Sequence, residues 1–164
     1  MHEFYVMNMP DNTSTIEIDV SEASSHEPEA KWNVTIVYDD VRAGQRAMSM
    51  LDRIMSQELM EPQTLHPSLW RLDLLEDTDW RELATPDIVE SDLLIIAASA
   101  QNDPTTSVQN WMRSCLAQKH GGSSAVVALH SPMGNWDRPN SPWIESLESL
   151  TSQVGLEFLA PGKL

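Results

Sequence analysis

Three residue types that can together activate a hydroxyl occur where strands of this 164-residue chain should end: Ser99, His130 and the acidic pair Asp39 and Asp40. In such a set an imidazole takes the serine proton and a carboxylate orients the ring. The context of Ser99 argues against that chemistry. Ala97-Ala98-Ser99-Ala100-Gln101 lacks the glycine-flanked turn that presents a nucleophile. Ser99 therefore reads as a small residue closing a strand, and His130 as a loop residue. His2, His26, His66, His120 and His130 have no metal-ligand spacing. The glycines are too few and scattered to form a phosphate-binding loop. Cys115 is the single cysteine, which excludes an intramolecular disulfide and a cysteine-based metal cluster. No catalytic residue and no metal site is expected.

What remains is a set of polar and aromatic positions that can line a cleft. Asp39, Asp40 and Arg42 follow the first strand, Ser99, Gln101 and Asn102 the third, and His130 and Trp136 the fourth. Trp136 lies in Met133-Gly134-Asn135-Trp136-Asp137-Arg138 and can stack on a planar ligand or anchor a partner. Covering the start of the last helix is its simpler role.

The elements that must position these residues follow from periodicity. Ser91-Asp92-Leu93-Leu94-Ile95-Ile96-Ala97-Ala98-Ser99-Ala100 holds an unbroken apolar run, as in a strand buried on both faces. Val34-Thr35-Ile36-Val37-Tyr38 and Ala125-Val126-Val127-Ala128-Leu129 predict two more inner strands. Ser68-Leu69-Trp70-Arg71-Leu72-Asp73-Leu74-Leu75 alternates, so a strand nearer an edge is expected over 68–75. Leu156-Glu157-Phe158-Leu159-Ala160 supplies a fifth. A helix is predicted from 41 to about 59, its stripe formed by Ala47, Met48, Leu51, Ile54, Met55 and Leu59. Asp79, with Glu82 three residues on, predicts a short helix that Thr85-Pro86 interrupts. Asp103-Pro104 predicts the start of another, whose stripe Val108, Trp111, Met112, Cys115 and Leu116 places the thiol inside. Ser141-Pro142 starts the last, with Ile144, Leu147, Leu150 and Val154 inward and Gly155 at its end. Strands alternating with helices predict an α/β three-layer sandwich, a five-stranded parallel sheet in order 2-1-3-4-5.

The third strand opening with Asp92, the polar loop with Pro104 and the helix carrying Val108 and Trp111 resemble the corresponding segment of flavodoxins and flavin-dependent quinone reductases. The resemblance implies a flavodoxin-like fold over about 33–160, with the loop after the third strand lining a flavin. Flavodoxins hold the FMN phosphate in a Ser/Thr/Gly/Asn-rich loop after the first strand. Here that loop is Asp39-Asp40-Val41-Arg42-Ala43-Gly44, whose carboxylates repel a phosphate, so FMN is disfavoured. The acidic pair also resembles that of response-regulator receiver domains, which bind Mg²⁺. Ala97-Ala98-Ser99 stands where their phosphoacceptor Asp belongs, so a working receiver is not expected.

The net charge of −15 and a pI near 4.4 disfavour nucleic acid and anionic membrane surfaces as partners. No apolar run reaches the roughly 20 residues of a membrane helix, and no signal peptide is visible, so a cytoplasmic location is expected. Residues 1–31 carry seven of the 25 acids against the single base Lys31, and read as an acidic, partly mobile arm before a domain at 32–164. Within the arm, Thr15-Ile16-Glu17-Ile18-Asp19-Val20 alternates as a half-buried strand does and can extend a sheet edge. Together these features predict a non-catalytic domain that binds a protein partner or associates with itself. The alternative is a binding site for a small planar ligand, flavin or nucleotide, at the carboxyl end of the sheet, with reductase activity as one use.

Overall fold

The computed structural model describes residues 32–57, 65, 67–98, 103–119, 124–130 and 142–160, with the backbone alone at 130. Five strands form one sheet: β1 (Val34–Tyr38), β2 (Ser68–Arg71), β3 (Leu93–Ala98), β4 (Ala125–His130) and β5 (Glu157–Leu159). Their order is β2-β1-β3-β4-β5, and every adjacent pair is parallel. This is the expected α/β winding, a flavodoxin-like fold. β3 lies in the middle, with Ile36 opposite Ile95 and Ile95 opposite Val127. All six of its residues are buried. A strand with neighbours on both sides and helices on both faces gains nothing from alternation. Full burial of Leu94, Ile95 or Ile96 is worth about 1.5–3 kcal/mol each.

Among the described residues there are four α-helices: α1 (Val41–Gln57), α2 (Thr78–Glu90), α3 (Thr106–Gln118) and α4 (Pro142–Val154). α1 packs through Ala43, Ala47 and Leu51 on the face carrying Val34, Ile36, Leu93, Ile95 and Ala97. The opposite face carries Val37, Leu94, Ile96, Val126 and Ala128, and there α2, α3 and α4 supply Ile88, Met112, Leu116, Ile144 and Leu147. The stripe expected on α3 is buried at Val108, Met112, Cys115 and Leu116. Gly155 ends α4 at φ +76, a left-handed position that glycine adopts without a Cβ clash. The amide of Leu156 then closes back on the carbonyl of Thr151 at 2.9 Å.

Local expectations fail in four places. The strand predicted over 68–75 stops at Arg71, because the chain turns at Leu72 and makes a 3-10 turn over Leu74–Glu76. That turn swings Leu75 into the core beneath α2, so its apolar character reflects burial rather than strand alternation. The cap of α2 is Asp77, whose side chain accepts from the amide of Asp79, two residues before the expected start. Thr85-Pro86 does not break α2, which runs through Pro86 to Glu90. Pro86 is exposed, so its ring meets no core side chain, and the helix loses one backbone donor there. Likewise α3 is capped by Thr105, whose hydroxyl accepts from the amide of Val108, while Asp103 and Pro104 precede it. The strand expected at 15–20 and the arm at 1–31 lie outside the described residues.

Candidate functional site

At the carboxyl end of the sheet the loop after β1 is stitched to the end of β3, since the amide of Asp39 donates to the carbonyl of Ala97 at 3.1 Å. Asp40 is the N-cap of α1: its Oδ1 accepts from the amide of Ala43 at 2.7 Å, and its carbonyl accepts from Gly44 at 3.0 Å. A carboxylate of the protein itself thus occupies the positive end of this helix. Arg42 is exposed on the same first turn. The backbone of His130 pairs with Ala98 in the last rung of β3 and β4, at the same end of the sheet. Asp39, Asp40, Arg42 and the His130 backbone are therefore gathered at one end. Ser99, Gln101, Asn102, Trp136 and the His130 side chain lie outside the described residues. Among the described residues no three His, Cys, Asp or Glu side chains gather to hold a metal ion.

A second feature lies along the side of the sheet. A groove of about 600 Å³ runs between α1 and β2, lined by Tyr38, Val41, Gln45, Met48, Asp52 and Leu69 among others. Val41 is 66% exposed and Leu69 51%. Gly44 forms part of the wall because a Cβ there would stand only 3.2 Å from the Tyr38 ring. The periodicity of α1 and the alternation of β2 carry these residues, but neither says that this flank is left open.

The other face of β2 is also apolar and partly open. Trp70 and Trp80 meet edge to face with centroids 6.4 Å apart. The Trp70 indole Nε1 donates to Asp87 Oδ2 at 2.9 Å, so the half-buried ring keeps its polar atom paired. Trp80 is 43% exposed and Leu83 62%. The far flank of α2 is committed to α3, with Arg81 Nη1 donating to Ser107 Oγ at 2.6 Å and Trp111 Nε1 to Thr85 Oγ1 at 3.0 Å. Helical spacing therefore sets Trp80, Leu83 and Asp87 on the flank away from α3, beside β2.

Arg71, at the end of β2, is held by Asp73 in a two-pronged contact of 2.5 and 2.6 Å. That pairing holds the Asp73 carboxyl below its usual range. No polar motif marks Leu69, Trp80 or Leu83 in the sequence; the only signal is apolar side chains on an edge strand and a weakly amphipathic helix.

No family model matches the chain, and no curated protein matches it. Among solved structures, one described as "Streptococcus pneumonia TIGR4 flavodoxin: structural and biophysical characterization of a novel drug target" is similar over 77% of this chain and 81% of that one, at 12% identity and a TM-score of 0.46. The fold assignment rests on the strand order and parallel pairing described above. Among the described residues, no helix is long and apolar enough to cross a membrane. By its sheet and helices the chain is a flavodoxin-like α/β domain.

Proposed function

We propose that this domain is a non-catalytic module that binds a protein partner or a copy of itself. The observation that carries the reading is the capping of α1 by Asp40. In a doubly wound sheet the helix N-terminus at the switch point is the natural place for a ligand phosphate. Here a carboxylate already accepts the first-turn amide of Ala43. An incoming phosphate would have to displace a covalently tethered anion and then sit beside it and Asp39. The exposed apolar side chains Leu69, Trp80 and Leu83 lie elsewhere, on and beside β2, where a macromolecular surface fits better than a small flat ligand.

The alternative reading, a planar ligand at the carboxyl end, draws support from the junction of Asp39 with Ala97, which brings the ends of β1 and β3 together. There Asp39, Asp40, Arg42 and the His130 region would contact the ligand, joined by Ser99, Gln101, Asn102 and Trp136.

The two readings separate in one preparation. The purified full-length protein is expected to be colourless at flavin wavelengths and to keep its melting temperature in FMN or nucleotide. A yellow preparation, or a rise in melting temperature with FMN, would replace the first reading by the second.

A further inference from the structure

We infer that the outer edge of β2, where the sheet ends among the described residues, accepts an extended segment of another protein in which apolar residues alternate with basic ones. The inference rests on the protein-binding reading above and specifies its surface and partner.

The backbone comes first. β2 ends the sheet order of the described residues. The amide of Leu72 donates to Tyr38 at 2.8 Å, so residues of the same parity, such as Trp70, spend their backbone groups on β1. Strand alternation then points the amides and carbonyls of Leu69 and Arg71 outward. An edge of this kind is a template for one more strand. Side chains come next. A strand laid along β2 would place alternate residues over the groove beside Leu69 and Val41, and the others against Trp80 and Leu83. Each of these four is between 43% and 66% exposed.

Charge selects the partner. Asp52 lines the groove, and helical spacing puts Asp79, Asp87 and Glu90 on the open flank of α2. Among the described residues the nearby bases are spent or off the groove wall. Arg71 is paired with Asp73, Arg81 reaches Ser107, and neither Arg42 nor Arg53 lines the groove. The described rim is therefore acidic around an apolar strip. A second copy of the same edge would set acid against acid, whereas Lys or Arg on the incoming strand would meet carboxylates.

The test uses the full chain and a labelled hexapeptide in which valine alternates with lysine. A peptide with glutamate replacing lysine is the comparison. Fluorescence anisotropy is expected to give binding of the lysine peptide and about tenfold or weaker affinity for the glutamate peptide. Amide resonances of Leu69 and Arg71 are expected to shift most. Leu69→Lys should weaken binding by about tenfold or more. Leu83→Lys, on a different element, repeats the test if Leu69→Lys fails to fold by circular dichroism. Equal affinities for the two peptides, no binding of either, or unchanged affinity in both variants would overturn the inference. So would a dimer in light scattering that Leu69→Lys splits, since the occupant would then be a second copy. These outcomes leave the protein-binding reading standing; that reading falls separately, if the purified protein carries flavin.

Discussion

The ammonium of Lys119 donates to the carbonyl oxygen of Ser91 at 2.6 Å and to its hydroxyl at 2.9 Å. It also reaches the carbonyl of Ile88 at 2.7 Å. Lys119 is the residue just past α3, and Ile88 and Ser91 close α2. One buried cation thus adds a charged donor to carbonyls at the end of a neighbouring helix, where the Ser91 hydroxyl also donates to Ile88 at 2.8 Å and the Ser124 hydroxyl to Ser91 at 3.4 Å, and it sits at the negative end of that helix.

Replacing Lys119 by Met keeps the stem and removes the donors. The Ile88 and Ser91 carbonyls then each lose a charge-assisted bond, worth about 1.5–3 kcal/mol, and keep only the hydroxyl donors Ser91 and Ser124. Chemical denaturation of Lys119→Met is expected to show a loss of about 3 kcal/mol relative to the wild type, with the slope on denaturant unchanged. A loss indistinguishable from that of an exposed lysine would mean that water replaces the ammonium without cost.

The same residue sets a pH dependence. Burial lowers the Lys119 pKa, with nearby Asp92 and Cys115 partly restoring it. The unfolded chain keeps its lysine protons up to the ordinary value of about 10.4. Between the lowered folded pKa and that value the unfolded state binds more protons, so stability from this group rises with pH. Below the folded pKa both states are charged and the slope vanishes. The stability difference between wild type and Lys119→Met should therefore grow as pH is raised through the alkaline window, read from paired urea titrations. A difference that shrinks over the same window would contradict the assigned direction.

At the other end of the sheet, Asp40→Ala should cost about 1 kcal/mol by removing the cap on Ala43, and Asp40→Asn should cost less, because the amide oxygen can still accept. Thermal unfolding of the two variants checks this. Equal losses would place the effect in the charge at the helix start rather than in the hydrogen bond.

Gly44→Ala sets helix propensity against a close contact. The change favours α1 by about 1 kcal/mol, while the new Cβ would stand 3.2 Å from the Tyr38 ring. That ring is only half-buried and can yield by a few tenths of an ångström. A net gain of about 0.5 kcal/mol is expected for Gly44→Ala, and a loss for Gly44→Val. A destabilised Gly44→Ala would mean that the ring is fixed.

Cys115 is 1% exposed, and burial raises its thiol pKa. Thiolate is the reactive form, so the native protein should react with an aromatic disulfide reagent far more slowly than the urea-unfolded chain. Comparable rates would show that this part of α3 opens readily.

Much of this arrangement follows from the sequence alone. The run Leu93–Ala98 has no polar residue for a solvent face, which demands neighbours on both sides and helices above and below. Val108, Met112, Cys115 and Leu116 likewise fix the inward side of α3, because three- and four-residue spacing is a property of the helix itself. The acidic pair after β1 is also visible in the sequence, although Asp40's service as a cap needs the observed helix start. Tertiary structure decided the rest. Leu69 and Leu75 are the same residue type six positions apart, yet one is half-exposed and the other fully buried. The difference comes from where β2 ends and which helix lies across it. Nothing in the sequence singles out Lys119, and only the meeting of α2 and α3 buries it. Local spacing determines which way a side chain points from its own element, whereas the neighbours that element meets determine whether that side chain finds solvent, core or a partner.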